Sequence, residues 1–285
     1  MRFVQKGRAA TLELYLPRRP SAAGTYTVYT ATGAELQASG AASLDSVSTT
    51  LSPAADAGAG AITLTSATSV TAGRRYLLDG TEDTGGEMVT VRSISGTTVT
   101  LAARLLRAHA SGATFQGTRV TFAVGAITQT GRNHRVEYEY PSGDAQPSVT
   151  VPFDVVRYSV VTNLTAADLR TVDGQLAKKI PAGVWLPDVI VSAWSTLQAD
   201  VSVECDPGAI VGAVDLTTAH AHLCRFMLAD ATAGDDQEMT DARTRYAARY
   251  REELKRQLAT LSRDEGQTGV ATSRPYTSSV RVGRG

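Results

Sequence analysis

The pattern of hydrophobic and polar positions changes once along the chain, near residue 161. Before this point, apolar residues mostly alternate with polar ones, which is the period of a β-strand with one buried face. After it, apolar residues recur every three or four positions to about residue 262, which is the spacing of an amphipathic helix. We therefore expect an α+β protein with a β-rich N-terminal part, a helical C-terminal part and a tail.

Five segments of the N-terminal part alternate clearly enough to predict strands. Turn residues separate them, as in Pro141-Ser142-Gly143-Asp144. The predicted strands cover residues 11–16, 25–29, 119–124, 134–140 and 148–153. Strands of this number and spacing are typical of an antiparallel β-sandwich, which we assign to residues 1–44 together with 119–160.

Residues 45–118 interrupt this sandwich and have a pattern of their own. Alternating segments at 62–64, 76–78, 88–91 and 99–101 are joined by tight turns such as Ser95-Gly96. We expect a small inserted β-domain built from hairpins. Its acidic positions Asp79, Glu82, Asp83 and Glu87 lack the spacing that places ligands around one calcium ion, so we expect no metal there.

The helical part is predicted to be a bundle over residues 161–265. A short helix begins near Thr165, which with Asp168 has the spacing of a capping box. A second helix begins at Pro187 and carries Trp194 on its apolar stripe, and a third begins near Leu216. The fourth and longest runs from about residue 236 to 261, with Tyr246, Tyr250 and Leu254 on its apolar face.

Composition narrows the classes of function. Lysine and arginine total 28 and so do aspartate and glutamate, so no global field attracts nucleic acid or anionic lipid. We find neither a signal peptide nor an apolar stretch long enough to span a membrane, and we expect a soluble protein. Cys205 and Cys224 are interpreted as reduced core thiols.

Residues that often carry chemistry do not form a recognisable site. His220 and Cys224 share a helix face but His222 does not, and two ligands do not hold a structural zinc. His109 and His134 are expected on the surface. Nucleophile-elbow, phosphate-loop and dinucleotide-binding motifs are absent from the sequence, so we expect no enzyme activity and no cofactor.

The C-terminal tail, residues 266–285, has no helical period and no acidic residue. Alone it cannot bury enough surface to fold. We expect it to dock on a partner by adding a strand and by pairing its arginines with carboxylates. The residues predicted to make this contact are Arg274, Tyr276, Val280, Arg281, Val282 and Arg284.

Two resemblances suggest a function. The glycine and apolar pattern of the insert, from Gly73 to Ala113, resembles a small β-module of structural proteins of tailed bacteriophages. The bundle beginning with Leu164-Thr165-Ala166-Ala167-Asp168-Leu169, its long charged last helix and the tail are similar to the adaptor proteins of tailed-phage necks.

That resemblance implies a homo-oligomeric ring, usually of twelve copies, in the head-tail connector of the virion neck, assembled in the host cytoplasm. The ring would join the portal protein to tail or neck proteins, and DNA would pass through its channel without specific binding. Trp194, Tyr246, Tyr250 and Leu254 are predicted to pack the subunits together. The alternative is a carbohydrate-binding or host-recognition module, for which Tyr138 and Tyr140 would supply stacking aromatics. A small hydrolase is a third possibility.

Overall fold

The computed structural model describes residues 2–80, 86–141, 144, 148–172, 180, 184–212, 214–233 and 236–263. It is an α+β protein, mostly of β-sheet, with four α-helices among the described residues, two of which form a C-terminal pair. This confirms the predicted class and the change from strands to helices near residue 161.

The strands in chain order are β1 (Phe3–Gln5), β2 (Ala10–Tyr15), β3 (Thr25–Tyr29), β4 (Glu35–Ala41), β5 (Ser43–Leu44), β6 (Ser48–Thr50), β7 (Ala61–Thr63), β8 (Arg75–Leu78), β9 (Glu87–Ser95), β10 (Thr98–Leu101), β11 (Thr114–Gln116), β12 (Arg119–Val124), β13 (Gly131–Glu139), β14 (Val149–Val156), β15 (Val160–Val161), β16 (Ile210–Val211), β17 (Val214–Asp215) and β18 (Ser262–Arg263). The helices are α1 (Ala166–Val172), α2 (Leu186–Glu204), α3 (Thr217–Ala233) and α4 (Gln237–Ala259), with a 3-10 turn at Pro207–Ala209.

Two sheets of the N-terminal part share one apolar core. The first has the strand order β1-β14-β13-β3-β4 and the second β2-β12-β5. Phe122 of β12 lies between Tyr26 of β3 and Tyr138 of β13, with ring centroids 5.3 and 5.7 Å away. These rings are buried because each is on the apolar face of an alternating strand.

The first sheet is mixed, and here the prediction of a purely antiparallel arrangement is wrong. β1 pairs in parallel with β14, with Phe3 opposite Asp154. A strand of three residues is too short to show the alternation from which strands were predicted, so its partner could not be inferred from the sequence.

The insert forms a six-stranded sheet of its own, in the order β6-β11-β8-β9-β10-β7. Its apolar cluster is separate from that of the other two sheets and is centred on Tyr76 and Phe115, whose rings stack 4.8 Å apart. Gly96, with φ of +59°, makes the turn between β9 and β10, as predicted.

The guanidinium of Arg19 bonds to both places where the chain passes between the N-terminal sheets and the insert. Nη1 of Arg19 donates to the carbonyl oxygens of Asp45 (2.8 Å), Val47 (3.0 Å) and Gly117 (2.5 Å). The chain enters the insert at Asp45 and leaves it at Gly117, so Arg19 fixes both crossings at once. Gly117 must be glycine, because a Cβ there would lie 2.5 Å from Cγ of Asp45.

We predict that Gly117→Ala lowers the free energy of unfolding by about 1–3 kcal/mol, because the added methyl group forces Asp45 and the crossing apart. Gly60→Ala is the matched control, since a Cβ at Gly60 meets no atom within 4 Å. Urea unfolding followed by far-UV circular dichroism measures both variants. Equal stability of the two would contradict the role given to the crossing.

The helices begin and end as their sequences indicate. In α1 the carboxylate of Asp168 accepts from the backbone N–H of Thr165 (2.8 Å), the predicted capping box. Pro187 lies in the first turn of α2. The side chain of Asp236 caps α4 by accepting from the N–H groups of Glu238 and Met239. None of the described helices is both long enough and apolar enough to cross a membrane.

The helical part is anchored to the first sheet through a buried carboxylate. Asp154 of β14 is 1% exposed and accepts from Oγ of Ser202 on α2 (2.7 Å) and from the N–H of Asn133 (2.8 Å). Asn133 has φ of +56° within an irregular part of β13, which turns its N–H toward this carboxylate. Each donor offsets part of the cost of burying the charge.

We predict that Ser202→Ala lowers the free energy of unfolding by about 1–3 kcal/mol, because Asp154 then loses a donor while it stays buried. Ser192→Ala, at an exposed position of the same helix, is expected to change it by less than about 0.5 kcal/mol. Thermal and urea unfolding measure the difference, and an equal effect of the two substitutions would show that the Ser202 contact contributes nothing.

Candidate functional site

A groove of about 680 Å³ in the helical part could receive another segment of protein. α3 packs against α4 and α2, and the groove lies where these three helices meet. Its apolar residues are Val203, Leu223, Phe226, Ala247, Tyr250 and Leu254. Its polar residues are Thr196, Asp200, Glu204, Arg251 and Lys255.

Tyr250 crosses the groove from α4 to α2. Its hydroxyl donates to Oδ2 of Asp200 at 2.5 Å. Burial raises the pKa of Tyr250 strongly, and the hydrogen bond to Asp200 and the nearby charge of Glu204 raise it further. The phenol is therefore a fixed donor rather than a titrating group, and it holds α2 and α4 at a set distance.

The walls of the groove carry opposite charges. Asp200 and Glu204 of α2 form the acidic side, while Arg251 and Lys255 of α4 form the basic side. α2 contains no lysine, arginine or histidine, and two of its three acids, Asp200 and Glu204, lie in its last turns, where the helix dipole is also negative. An incoming segment with cationic side chains therefore finds a favourable field along α2.

The residues predicted to pack subunits together are all in the helical core of one chain. Tyr246, Tyr250 and Leu254 are buried, and Trp194 is half-buried with its ring 5.4 Å from that of His220. Tyr250 and Leu254 also line the groove. Their packing within the chain is a finding, whereas their contact with another subunit stays a prediction.

The tail residues predicted to contact a partner lie outside the described residues. They are Arg274, Tyr276, Val280, Arg281, Val282 and Arg284. The chain is described as far as β18, which pairs with β16 just beyond the end of α2.

His220 and Cys224 of α3 are part of the packing of the helical part. Nε2 of His220 donates to the carbonyl oxygen of Ile190 and its Nδ1 accepts from Oγ1 of Thr162, both at 2.8 Å. Burial lowers the pKa of His220, so the neutral ring that these two partners require is favoured. Burial raises the pKa of Cys224 to about 12, so its thiol stays protonated and is a poor metal ligand.

The prediction that His109 and His134 lie on the surface is wrong for both. His134 packs 5.6 Å from the ring of Phe153 and burial lowers its pKa. His109 is buried in the insert between two carboxylates, with Nδ1 3.4 Å from Asp79 and Nε2 3.3 Å from Glu87. Sequence reasoning missed this cluster, because the three residues are brought together by the sheet.

The His109 cluster joins the ends of β8 and β9 to the loop before β11. Glu87 also accepts from the N–H of Leu106, at 2.9 and 3.1 Å. The two carboxylates lie at opposite nitrogens of the ring, so they do not converge with it on one ion. Among the described residues, no group of histidine, cysteine, aspartate and glutamate has the geometry to hold a metal. Glu82 and Asp83 of the acidic loop lie outside them.

The start of α2 contacts the insert. Asp188 receives a hydrogen bond from Thr90 of β9 and lies near the charge of Arg75 on β8. A Cβ at Gly73 would lie 3.4 Å from Trp185, so the indole lies close over that glycine. Burial raises the pKa of Asp188, and Arg75 and Thr90 offset this in part.

The structure removes one support for the sugar-binding alternative. Tyr138 is fully buried and Tyr140 packs against it, with ring centroids 5.1 Å apart. Neither side chain forms the exposed flat surface on which a sugar ring would stack.

Comparisons with known proteins give no relative. No protein-family model, no curated protein and no solved structure matches this chain. The case for a function therefore rests on the sequence and on the geometry described above.

We predict that Asp188→Asn raises the melting temperature at pH 7. The folded protein binds the Asp188 proton more tightly than the unfolded chain does, so ionising this carboxyl weakens the fold as pH rises. The amide keeps an acceptor for Thr90 without a charge to bury. The gain over wild type should shrink as pH falls through the titration of Asp188. Calorimetry between pH 3 and 8 measures it, and a gain that grows toward low pH would contradict the assignment.

Proposed function

We propose that the chain is a structural virion protein, an adaptor that forms a homo-oligomeric ring in the head-tail connector of a tailed phage. The ring joins the portal protein to the tail around the DNA channel. The observation that carries the proposal is the order of parts: a β-rich front with its own inserted sheet, a helical region ending in a long charged helix, and a cationic tail.

The proposal includes a division of the chain into parts. Residues 1–44 with 119–160 form a β-sandwich, residues 45–118 an inserted domain, residues 161–265 the bundle and residues 266–285 the tail. One apolar cluster in the first two sheets, one in the insert and two in the helical part support this division. In the assembly the bundle packs between subunits and the tail docks on the portal or the next ring.

Charge supports the same function. The chain has equal numbers of acidic and basic residues, so the ring has no large net charge. Binding to the DNA backbone depends on clustered lysine and arginine, and a neutral wall lets DNA pass without sticking. The tail is the exception, because it carries three arginines and no acidic residue, and these arginines would pair with carboxylates of a neighbouring protein.

Light scattering and negative-stain images of the full chain test the ring, for which we expect about twelve copies. Binding to the purified portal of the same virus tests the docking role. A variant with Arg274, Arg281 and Arg284 changed to serine should keep the ring and lose the portal. Its control changes the exposed Arg8, Arg92 and Arg107 to serine, which removes the same charge elsewhere. A monomer that does not bind the portal would overturn the proposal.

A further inference from the structure

The groove has an apolar floor, and Val203 at its edge is unusually exposed. Val203 is 81% exposed although it borders a surface formed by Leu223, Phe226 and Leu254. Val191, on the same helix but away from the groove, is 65% exposed. Val203 lines the groove, whereas Val191 does not.

The C-terminal segment, residues 264–285, begins near the groove. After α4 the chain turns back, and β18 pairs antiparallel with β16, with Arg263 opposite Ile210. Because β16 follows the end of α2 by a few residues, the chain leaves the described structure beside the same end of the groove. Residues 264–285 continue from there.

The sequence of that segment matches the groove. From Tyr276 to Val282 it alternates, so that an extended chain places Tyr276, Val280 and Val282 on one face and Arg281 on the other. The face that carries Tyr276, Val280 and Val282 would cover the apolar floor of the groove. Arg281, on the second face, matches the acidic wall of α2, where Asp200 and Glu204 form no ion pair with a described lysine or arginine.

The chain after Arg263 is long enough for residues 276–282 to reach the groove and cover its length. The groove follows α2 from Thr196 to Glu204, which at 1.5 Å per residue is about 12 Å. Four extended residues cover that length at about 3.3 Å each. The residues between Arg263 and Tyr276 span up to about 43 Å when extended, more than the length of α2.

We propose that residues 276–282 lie extended in the groove of their own chain, with Val280 and Val282 on the apolar floor and Arg281 toward the acidic wall. This goes beyond the function proposed above, because it concerns the free chain before any partner is bound. The tail then occupies the groove of its own chain. A partner that binds the tail must first displace it from the groove.

Hydrogen exchange of the full chain, read by mass spectrometry, tests the contact. Val203→Arg places a charge in the groove at an exposed position, so folding is unaffected, and exchange of residues 276–282 should rise by about tenfold, equivalent to about 1.4 kcal/mol of docking free energy. Val191→Arg is the matched control and should leave that exchange unchanged. Equal exchange in wild type and Val203→Arg would overturn the proposal.

A second measurement decides which chain supplies the tail. Val203→Cys and Val280→Cys are combined in one chain, and a short bis-maleimide joins them. Chains labelled with ¹⁵N are refolded together with unlabelled chains before cross-linking. A tail in its own groove gives cross-linked peptides of a single isotope, whereas mixed-isotope peptides would assign the tail to a second copy and overturn the proposal. The result does not depend on ring formation, which light scattering measures separately.

Discussion

The guanidinium of Arg19 fixes the position of the insert relative to the rest of the chain. The chain passes twice between the six-stranded sheet of the insert and the N-terminal sheets. Here three backbone carbonyls from the two crossings accept from one nitrogen, and Arg119 adds an ion pair with Glu13 beside them. The insert is therefore tied to the N-terminal sheets at both connections.

Two further contacts extend this arrangement to the helices. Arg75 of the insert lies over the ring of Tyr15 on β2, 5.7 Å from its centroid, and also near Asp188 at the start of α2. At the other end of α2, Ser202 donates to the buried Asp154. One helix is thus held at its start by the insert and near its end by the first sheet. The groove beside it keeps its shape because both ends of α2 are fixed.

Local patterns predicted most of the fold. Alternation located most of the longer strands but not β4, and helical spacing with capping residues located α1 to α4, because these signals depend on neighbours in the sequence. The three-residue strand β1, the carboxylates around His109 and the pairing of Ser202 with Asp154 were not predicted. Each depends on residues far apart in the sequence, and no short-range signal marks them. The groove was missed for the same reason, since it depends on how α2 and α4 sit on α3.

The parallel pairing of β1 with β14 sets an order of events during synthesis. Phe3 is synthesised well before its partner Asp154, because the whole insert lies between them in the sequence. Closing so long a loop is slow, and the edge of the sheet stays unpaired until then. Asp154 also accepts a hydrogen bond from Ser202 of the helical part, so β14 contacts both β1 and α2. The contact with β1 and the contact with α2 therefore both require β14 to be in place.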